Sequence, residues 1–209
     1  MGGMFDPVHN GHLNIALGTQ QRLQLDRLAL LPCGMPVHRA NNLTPAVHRL
    51  AMLHLALQDY AGLVVDDREC LEPAPSYAFN SLQAIRRENP DAVLYYLLGQ
   101  DAFNKFQTWY HWREIFGLTH IVVAARPGTT AEPGAELSGE LRTRKVESAE
   151  EMKQSTCGKI FTLEMPMLDI SSTMLRERVS RHESIDDLVP TSVADYIETN
   201  GLYTAEKNA

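Results

Sequence analysis

Gly2-Gly3-Met4-Phe5-Asp6-Pro7-Val8-His9-Asn10-Gly11-His12 opens the chain and decides more about it than any other stretch. Two histidines three apart around a glycine, behind a Gly-Gly turn, place two imidazoles and several backbone N–H groups on one side of a loop. The apolar positions Leu13, Ile15, Ala16, Leu17 and Leu23 mark a helix that follows. The loop therefore delivers its ligand to a helix start, where free N–H groups and the positive end of the dipole favour an anion. Gly11 allows a close backbone approach where a Cβ would clash. The stretch reads as a phosphate site. Taken alone, a His-x-x-His pair also suits an incidental surface pair or a metal site, although no third ligand lies nearby in sequence.

A second stretch, Ile170-Ser171-Ser172-Thr173-Met174-Leu175-Arg176, reads as a strand end turning into a helix with three hydroxyls in its first turn. The simpler account is an N-cap, with Ser171 or Ser172 starting a helix that runs to about Arg181 and carries Leu175 and Val179 on its inner face. One cap needs one hydroxyl. Three in a row, with Arg176 a turn later, suit the β- and γ-phosphates of a triphosphate lying on the helix start. Both stretches resemble the His-x-Gly-His nucleotidyltransferase superfamily, where I-S-S-T-x-x-R partners the histidine loop. There a substrate phosphate attacks the α-phosphorus of a nucleoside triphosphate and pyrophosphate leaves.

The 209 residues suffice for one well-filled core, read as a single domain over 1–209 with a loop-rich 127–153. No apolar run approaches a membrane span and no basic segment with an apolar stretch precedes the first motif, which points to a cytoplasmic enzyme. Cys33, Cys70 and Cys157 are odd in number and widely spaced, as reduced thiols are. A net charge of −7 argues against a nucleic-acid binder. Against that acidic body His9, His12, His38, Arg39, Arg126 and Arg176 all fall at expected strand ends or helix starts, so a local cationic pocket for a small anion is expected.

Strand and helix signals alternate. Short apolar strands are expected over 27–32, 63–65, 92–98, 120–125 and 160–164. Helices are expected over 45–60, 76–89, 109–116, from Ser171 to about Arg181, and 190–199, the last a small C-terminal segment stopped by Asn200-Gly201. Residues 127–153 are polar, rich in Gly, Pro and Glu and weakly periodic, which predicts a long loop with a short helix near 147–153. The βαβα order predicts an α/β fold: a Rossmann-like, doubly wound, mostly parallel sheet with helices on both faces and ligands at the carboxyl ends of the strands.

The middle of the chain addresses the substrate. Pro36-Val37-His38-Arg39 lies in a loop after the strand 27–32. Pro75-Ser76-Tyr77-Ala78 opens a helix with Ser76 read as its N-cap. Leu98-Gly99-Gln100-Asp101 follows a buried strand, and Trp109-Tyr110-His111-Trp112 comes next, with Trp112 taken as core. With the two end motifs these resemble the bacterial nicotinate-nucleotide adenylyltransferases along nearly the whole chain. The resemblance implies that Gly2, Gly3, Met4, Phe5, His9 and His12 cradle ATP, with Gly99, Asp101, Ile170, Ser171, Ser172, Thr173 and Arg176 completing its site. It implies His38 and Arg39 beside the nucleotide phosphates, Ser76, Tyr77 and Ala78 holding the nicotinate carboxylate through backbone N–H groups, and Trp109 stacking on the pyridine with Tyr110 beside it. Asp101 would approach sugar hydroxyls or the metal, and Arg126 a phosphate.

The chemistry so implied is adenylyl transfer from ATP to nicotinate mononucleotide in NAD biosynthesis, with His9, His12, Arg39 and Arg176 as the catalytic groups. Magnesium would accompany ATP with no protein ligand required, and no nucleic acid or membrane partner is expected. Nicotinamide mononucleotide or phosphopantetheine adenylyltransferases, and a nucleotide-binding module without turnover, are the alternatives. Three positions depart from the family pattern: Met4 for Thr or Ser, Val37 for Pro, and Ala78 for Thr. In that family a buried strand runs directly into the Gly-Gly turn, so the resemblance also implies apolar residues upstream of Met1, with Met1 ending a first strand.

Overall fold

The computed structural model describes residues 1–35, 43–71 and 75–204. In chain order the elements are β1 (Gly2–Gly3), α1 (Asn10–Leu23), β2 (Leu28–Pro32), α2 (Ala46–Leu57), β3 (Leu63–Val65), α3 (Arg68–Leu71), α4 (Ala78–Glu88), β4 (Tyr95–Gly99) and α5 (Gln100–Asn104). A 3-10 turn (Phe106–Thr108) follows, then α6 (Trp112–Ile115), β5 (His120–Ala125), α7 (Ala135–Arg144), β6 (Lys145–Val146), α8 (Ala149–Met152), β7 (Ile160–Glu164), α9 (Ser172–Ser180) and α10 (Thr191–Thr199). Contacts gather these into two compact units: Gly3–Pro75 with Met167–Ala209, and Met1–Gly2 with Ser76–Pro166.

A three-stranded sheet has the order β1-β2-β3, with β2 and β3 in the first unit. Leu28-Ala29-Leu30-Leu31-Pro32 is a continuous apolar run, as a parallel strand covered on both faces requires, and it pairs in parallel with β3, Leu28 opposite Leu63 and Leu30 opposite Val65. Parallel neighbours cannot be joined by a tight turn, so α2 forms the crossover from β2 to β3. Each helix buries one stripe, Leu13, Ala16 and Leu23 on α1, and Met52, Leu53 and Leu57 on α2. Helix α10 packs on α2, with Ser192 donating to the Leu55 carbonyl and His48 Nδ1 3.0 Å from the Tyr196 hydroxyl.

The second unit carries a four-stranded, all-parallel sheet in the order β4-β5-β7-β6. Its central strand β5 is buried along its whole length and packs with Leu98, Phe103, Phe106, Trp112, Ile115 and Leu137 in one core. Two polar side chains fasten the end of the sheet where β5 begins. His120 accepts from the Lys159 N–H through Nδ1 at 3.0 Å and lies 2.9 Å from the Ser155 carbonyl through Nε2, which makes the neutral ring the Nε2–H tautomer. Arg86 donates to five backbone carbonyls, those of Leu118, Asn89, Pro90, Ala92 and Thr156.

The short helix expected near 147–153 is present as α8, but the long loop expected before it is a correction, since that stretch holds α7 and β6. Leu137 is fully buried and Val146 and Met152 are buried, but these anchors are too far apart to raise a periodic signal among Gly, Glu and Ser. The helix expected over 109–116 is present in shortened form as α6, because His111 adopts a left-handed φ of 51° as its N-cap. Strand β4 starts at Tyr95 rather than at 92. The short helices α3 and α5 were not signalled by periodicity, having too few residues to show it. Among the described residues no helix is long and apolar enough to cross a membrane.

Candidate active site

Residue His9 caps α1 in an extended conformation, φ −150° and ψ 169°, and its Nδ1 accepts the His12 N–H at 3.3 Å. Using Nδ1 as the acceptor leaves the proton of the neutral ring on Nε2. The two imidazoles stack with centroids 3.7 Å apart, and the edge of Phe5 meets His12 at 5.0 Å. Phe5 is buried with a left-handed φ of 49°, a conformation a bulky residue adopts only where its surroundings hold it. Gly3 is required beneath it, since a Cβ there would lie 2.9 Å from the Phe5 ring. The loop before α1 is thus a tightly packed turn with two imidazoles fixed at the start of its helix.

Helix α9 brings the second motif to the same unit. Ser171 is its N-cap and accepts the Met174 N–H at 3.2 Å, Ser172 donates to the Pro7 carbonyl at 2.9 Å, and Arg176 donates to the Asp6 carbonyl at 2.7 Å and to Thr173 Oγ1 at 3.2 Å. The hydroxyls do structural work of their own: one starts the helix and one ties it to the histidine loop. Gly11 is explained by the same junction. A Cβ there would sit 2.9 Å from His9 Nδ1 and 3.6 Å from the Ile170 carbonyl.

Burial holds the His9 imidazole down to about 4, well below its ordinary range. The His12 ring is lowered to about 3, by burial first and then by the neighbouring His9. Both rings are therefore neutral near pH 7, and each carries one N–H donor. An anion seated against them would favour the charged form and draw these values upward. His12 Nδ1 is buried and has no hydrogen-bond partner among the described residues, an orphan of the kind that a ligand or water satisfies.

Three residues the motif reading did not single out hold this framework. Arg49 is fully buried on the apolar stripe of α2 and donates to the carbonyls of Thr44, Met4 and Gly34 at 2.9, 3.0 and 3.3 Å. A charge on a hydrophobic stripe beside Met52 and Leu53 was the available signal. Asp6, buried, accepts from the Tyr203 hydroxyl at 2.7 Å and from the Thr44 N–H at 3.4 Å. Nothing in the sequence linked Tyr203 to the loop.

The remaining expected residues lie in the other unit. Helix α4 begins at Ala78 with Tyr77, not Ser76, as its N-cap and with no side-chain cap bond. This corrects the reading of Ser76, which stands one residue too early to cap. The helix's own bonding starts with the Asn80 N–H to the Tyr77 carbonyl at 2.9 Å. Tyr77 packs on Tyr110 with centroids 4.7 Å apart. Trp109 is half-buried against Phe106 and Tyr96, while Trp112 is core as expected. Gly99 ends β4 and caps α5, where a Cβ would meet open space. Asp101 is exposed in the first turn of α5, and Arg126 is exposed just beyond β5. Gly2 belongs to this unit, its α-carbon against Tyr96. His38 and Arg39 lie outside the described residues. Among the described residues no three His, Cys, Asp or Glu side chains converge as a metal-holding group.

The parallel α/β architecture is that of a nucleotidyltransferase, and the chain belongs to the cytidylyltransferase-like family, whose profile it matches over residues 1–178. Within that family it belongs with the nicotinate-nucleotide adenylyltransferases. It is 39% identical over 207 residues to a probable nicotinate-nucleotide adenylyltransferase of Acidithiobacillus ferrooxidans, covering 97% of this chain and 94% of the relative. It is 38% identical over 204 residues to a protein of the same name from Salmonella gallinarum, covering 97% and 96%. The fold is similar to that of the Plasmodium falciparum nicotinic acid mononucleotide adenylyltransferase complexed with NaAD, with a TM-score of 0.72 at 18% identity over 97% of this chain and 94% of that one.

Proposed function

We propose that the chain transfers the adenylyl group of ATP to nicotinate mononucleotide, forming nicotinate adenine dinucleotide and pyrophosphate in the cytoplasm as a step of NAD biosynthesis. The observation that carries this reading is the junction of the two motifs: the stacked His9–His12 pair and the Ser171–Arg176 helix start fastened together by Ser172 on Pro7 and Arg176 on Asp6. A phosphate oxygen of the mononucleotide attacks the α-phosphorus of ATP, the bond from that phosphorus to the bridging oxygen breaks, and pyrophosphate leaves with the electron pair. The nucleophile is already an anion, so no protein base is needed and catalysis rests on alignment and charge neutralisation.

In this proposal Gly2–Phe5 and Ile170–Thr173 seat ATP, with Gly99 and Asp101 at its sugar. His9 and His12 donate to the α-phosphate, and Arg39 and Arg176 neutralise the flanking phosphates. Arg176 gives up its bonds to Asp6 and Thr173, in part, to do so. His38, Ser76, Tyr77, Ala78, Trp109, Tyr110 and Arg126 face the mononucleotide. Magnesium carried by the triphosphate would offset charge on the leaving group. Mixing the purified protein with ATP, magnesium and nicotinate mononucleotide should release pyrophosphate and yield the dinucleotide. No pyrophosphate with a folded protein would refute the reading, and phosphopantetheine serving instead as acceptor would reassign the substrate.

A further inference from the structure

Asp6 stands where three distant segments meet the histidine loop. Its Oδ1 accepts from the Tyr203 hydroxyl at 2.7 Å across 197 residues of sequence, its Oδ2 accepts the Thr44 N–H at 3.4 Å, and its carbonyl accepts from Arg176 at 2.7 Å. The next carbonyl, that of Pro7, takes the Ser172 hydroxyl at 2.9 Å, and His9 follows two residues later. Asp6 is 4% exposed, and a carboxylate so buried must have its lone pairs answered. Tyr203 supplies the shortest bond to that carboxylate and holds a left-handed φ of 62° while doing so. A non-glycine residue kept in that region is over-determined by its surroundings. Burial and the adjacent Asp6 charge raise the phenol above its ordinary value, so it remains a donor throughout the working range. The Arg176 guanidinium, expected on the triphosphate, is aimed by the backbone of the very residue that Tyr203 holds.

We propose that Tyr203 is a positioning residue for adenylyl transfer: by fixing the Asp6 carboxylate it sets both the histidine loop and the guanidinium of Arg176. This rests on the function proposed above. Its hydroxyl touches no reacting atom, and its influence passes through one carboxylate to the two groups that do.

Tyr203→Phe removes a single oxygen and keeps the ring, so it is the primary variant, with Asp6→Ala and the double variant completing a cycle. Each is assayed well below its melting temperature for kcat, for the KM of each substrate, and for the Kd of α,β-methylene-ATP. Expected for Tyr203→Phe is a kcat about ten-fold lower and an analogue Kd several-fold weaker, with the KM for nicotinate mononucleotide within two-fold of the parent. In the Asp6→Ala background the same change should add less than two-fold. If Asp6→Ala does not fold, Asp6→Asn closes the cycle with a weakened acceptor. A Tyr203→Phe protein that melts earlier but keeps the parent kcat and analogue affinity would show a purely structural tie and overturn the proposal. A full effect persisting without the Asp6 carboxylate would overturn the route through it. Should the parent itself release no pyrophosphate, the function fails, and the analogue Kd still decides whether Tyr203 sets the nucleotide site.

Discussion

Gly11 shows how a single position can be read correctly and for an incomplete reason. The sequence suggests a glycine that makes room for an anion. The structure shows that the room is already used inside the protein, by the His9 ring and the Ile170 carbonyl. The same packing governs His12, pinned between His9 and the edge of Phe5 with a buried Nδ1 that has no partner among the described residues. Replacing His12 by Ala should leave the fold intact and lower kcat by at least ~100-fold, because a donor preorganised toward the transferring phosphate is lost. Steady-state rates and a circular dichroism melt check it, and near-normal turnover would remove His12 from the chemistry. The helix starts within the motifs were legible because His9 and Ser171 stand directly before an apolar-periodic run, where each caps its helix. Arg49 and Tyr203 were not, since their partners are backbone carbonyls or a side chain far away in sequence.

At the scale of elements, strands over 63–65, 120–125 and 160–164 were read to the residue, because short apolar stretches, Leu63-Val64-Val65, Ile121 to Ala125 and Ile160-Phe161, mark them. Helix α7 was missed for the converse reason, as Gly139 and its charged turns dilute the signal of Leu137 and Leu141. Arg49 ties Met4, Gly34 and Thr44 to α2. Its replacement by Ala strands three carbonyls in the interior and should cost about 3 kcal/mol or more in urea unfolding. Lys at the position should recover only a part, since one ammonium cannot span the guanidinium's fork. The start of α4 carries a specificity prediction. Its first N–H groups have no partner within the helix and Tyr77 and Tyr110 pack together beside them. A pyridine carboxylate there accepts charge-assisted bonds, whereas a carboxamide turns an NH₂ against those donors. A penalty of roughly 2–4 kcal/mol gives about thirty- to a thousand-fold in kcat/KM for nicotinate over nicotinamide mononucleotide. Equal kcat/KM values would exclude a carboxylate site at this helix start.

Across the whole molecule the alternation of elements was legible, and the division of contacts into two units was not, because apolar periodicity reports that a face is buried and not which partner buries it. Stability against acid is also a property of the whole chain, and here buried histidines set its direction. His9 and His12 are held at about 4 and about 3, chiefly by burial, and His120 is lowered for the same first reason. In the unfolded chain each returns to the ordinary value near 6.5. Below that pH the unfolded state takes up protons that the folded state refuses, so the stabilising contribution is complete above pH 6.5 and drains away as pH falls toward the folded values. Between pH 7 and pH 5 the loss is about 2 kcal/mol for each of His9 and His12, and the melting temperature should drop by roughly 10 °C on their account. The double variant His9→Asn with His12→Asn removes both groups and should flatten this part of the pH profile while abolishing turnover. Calorimetric melts of the two proteins at pH 7, 6 and 5 provide the comparison. Parallel profiles would mean that the two imidazoles titrate in the folded protein as they do in the unfolded chain, and that burial does not hold the stacked pair neutral.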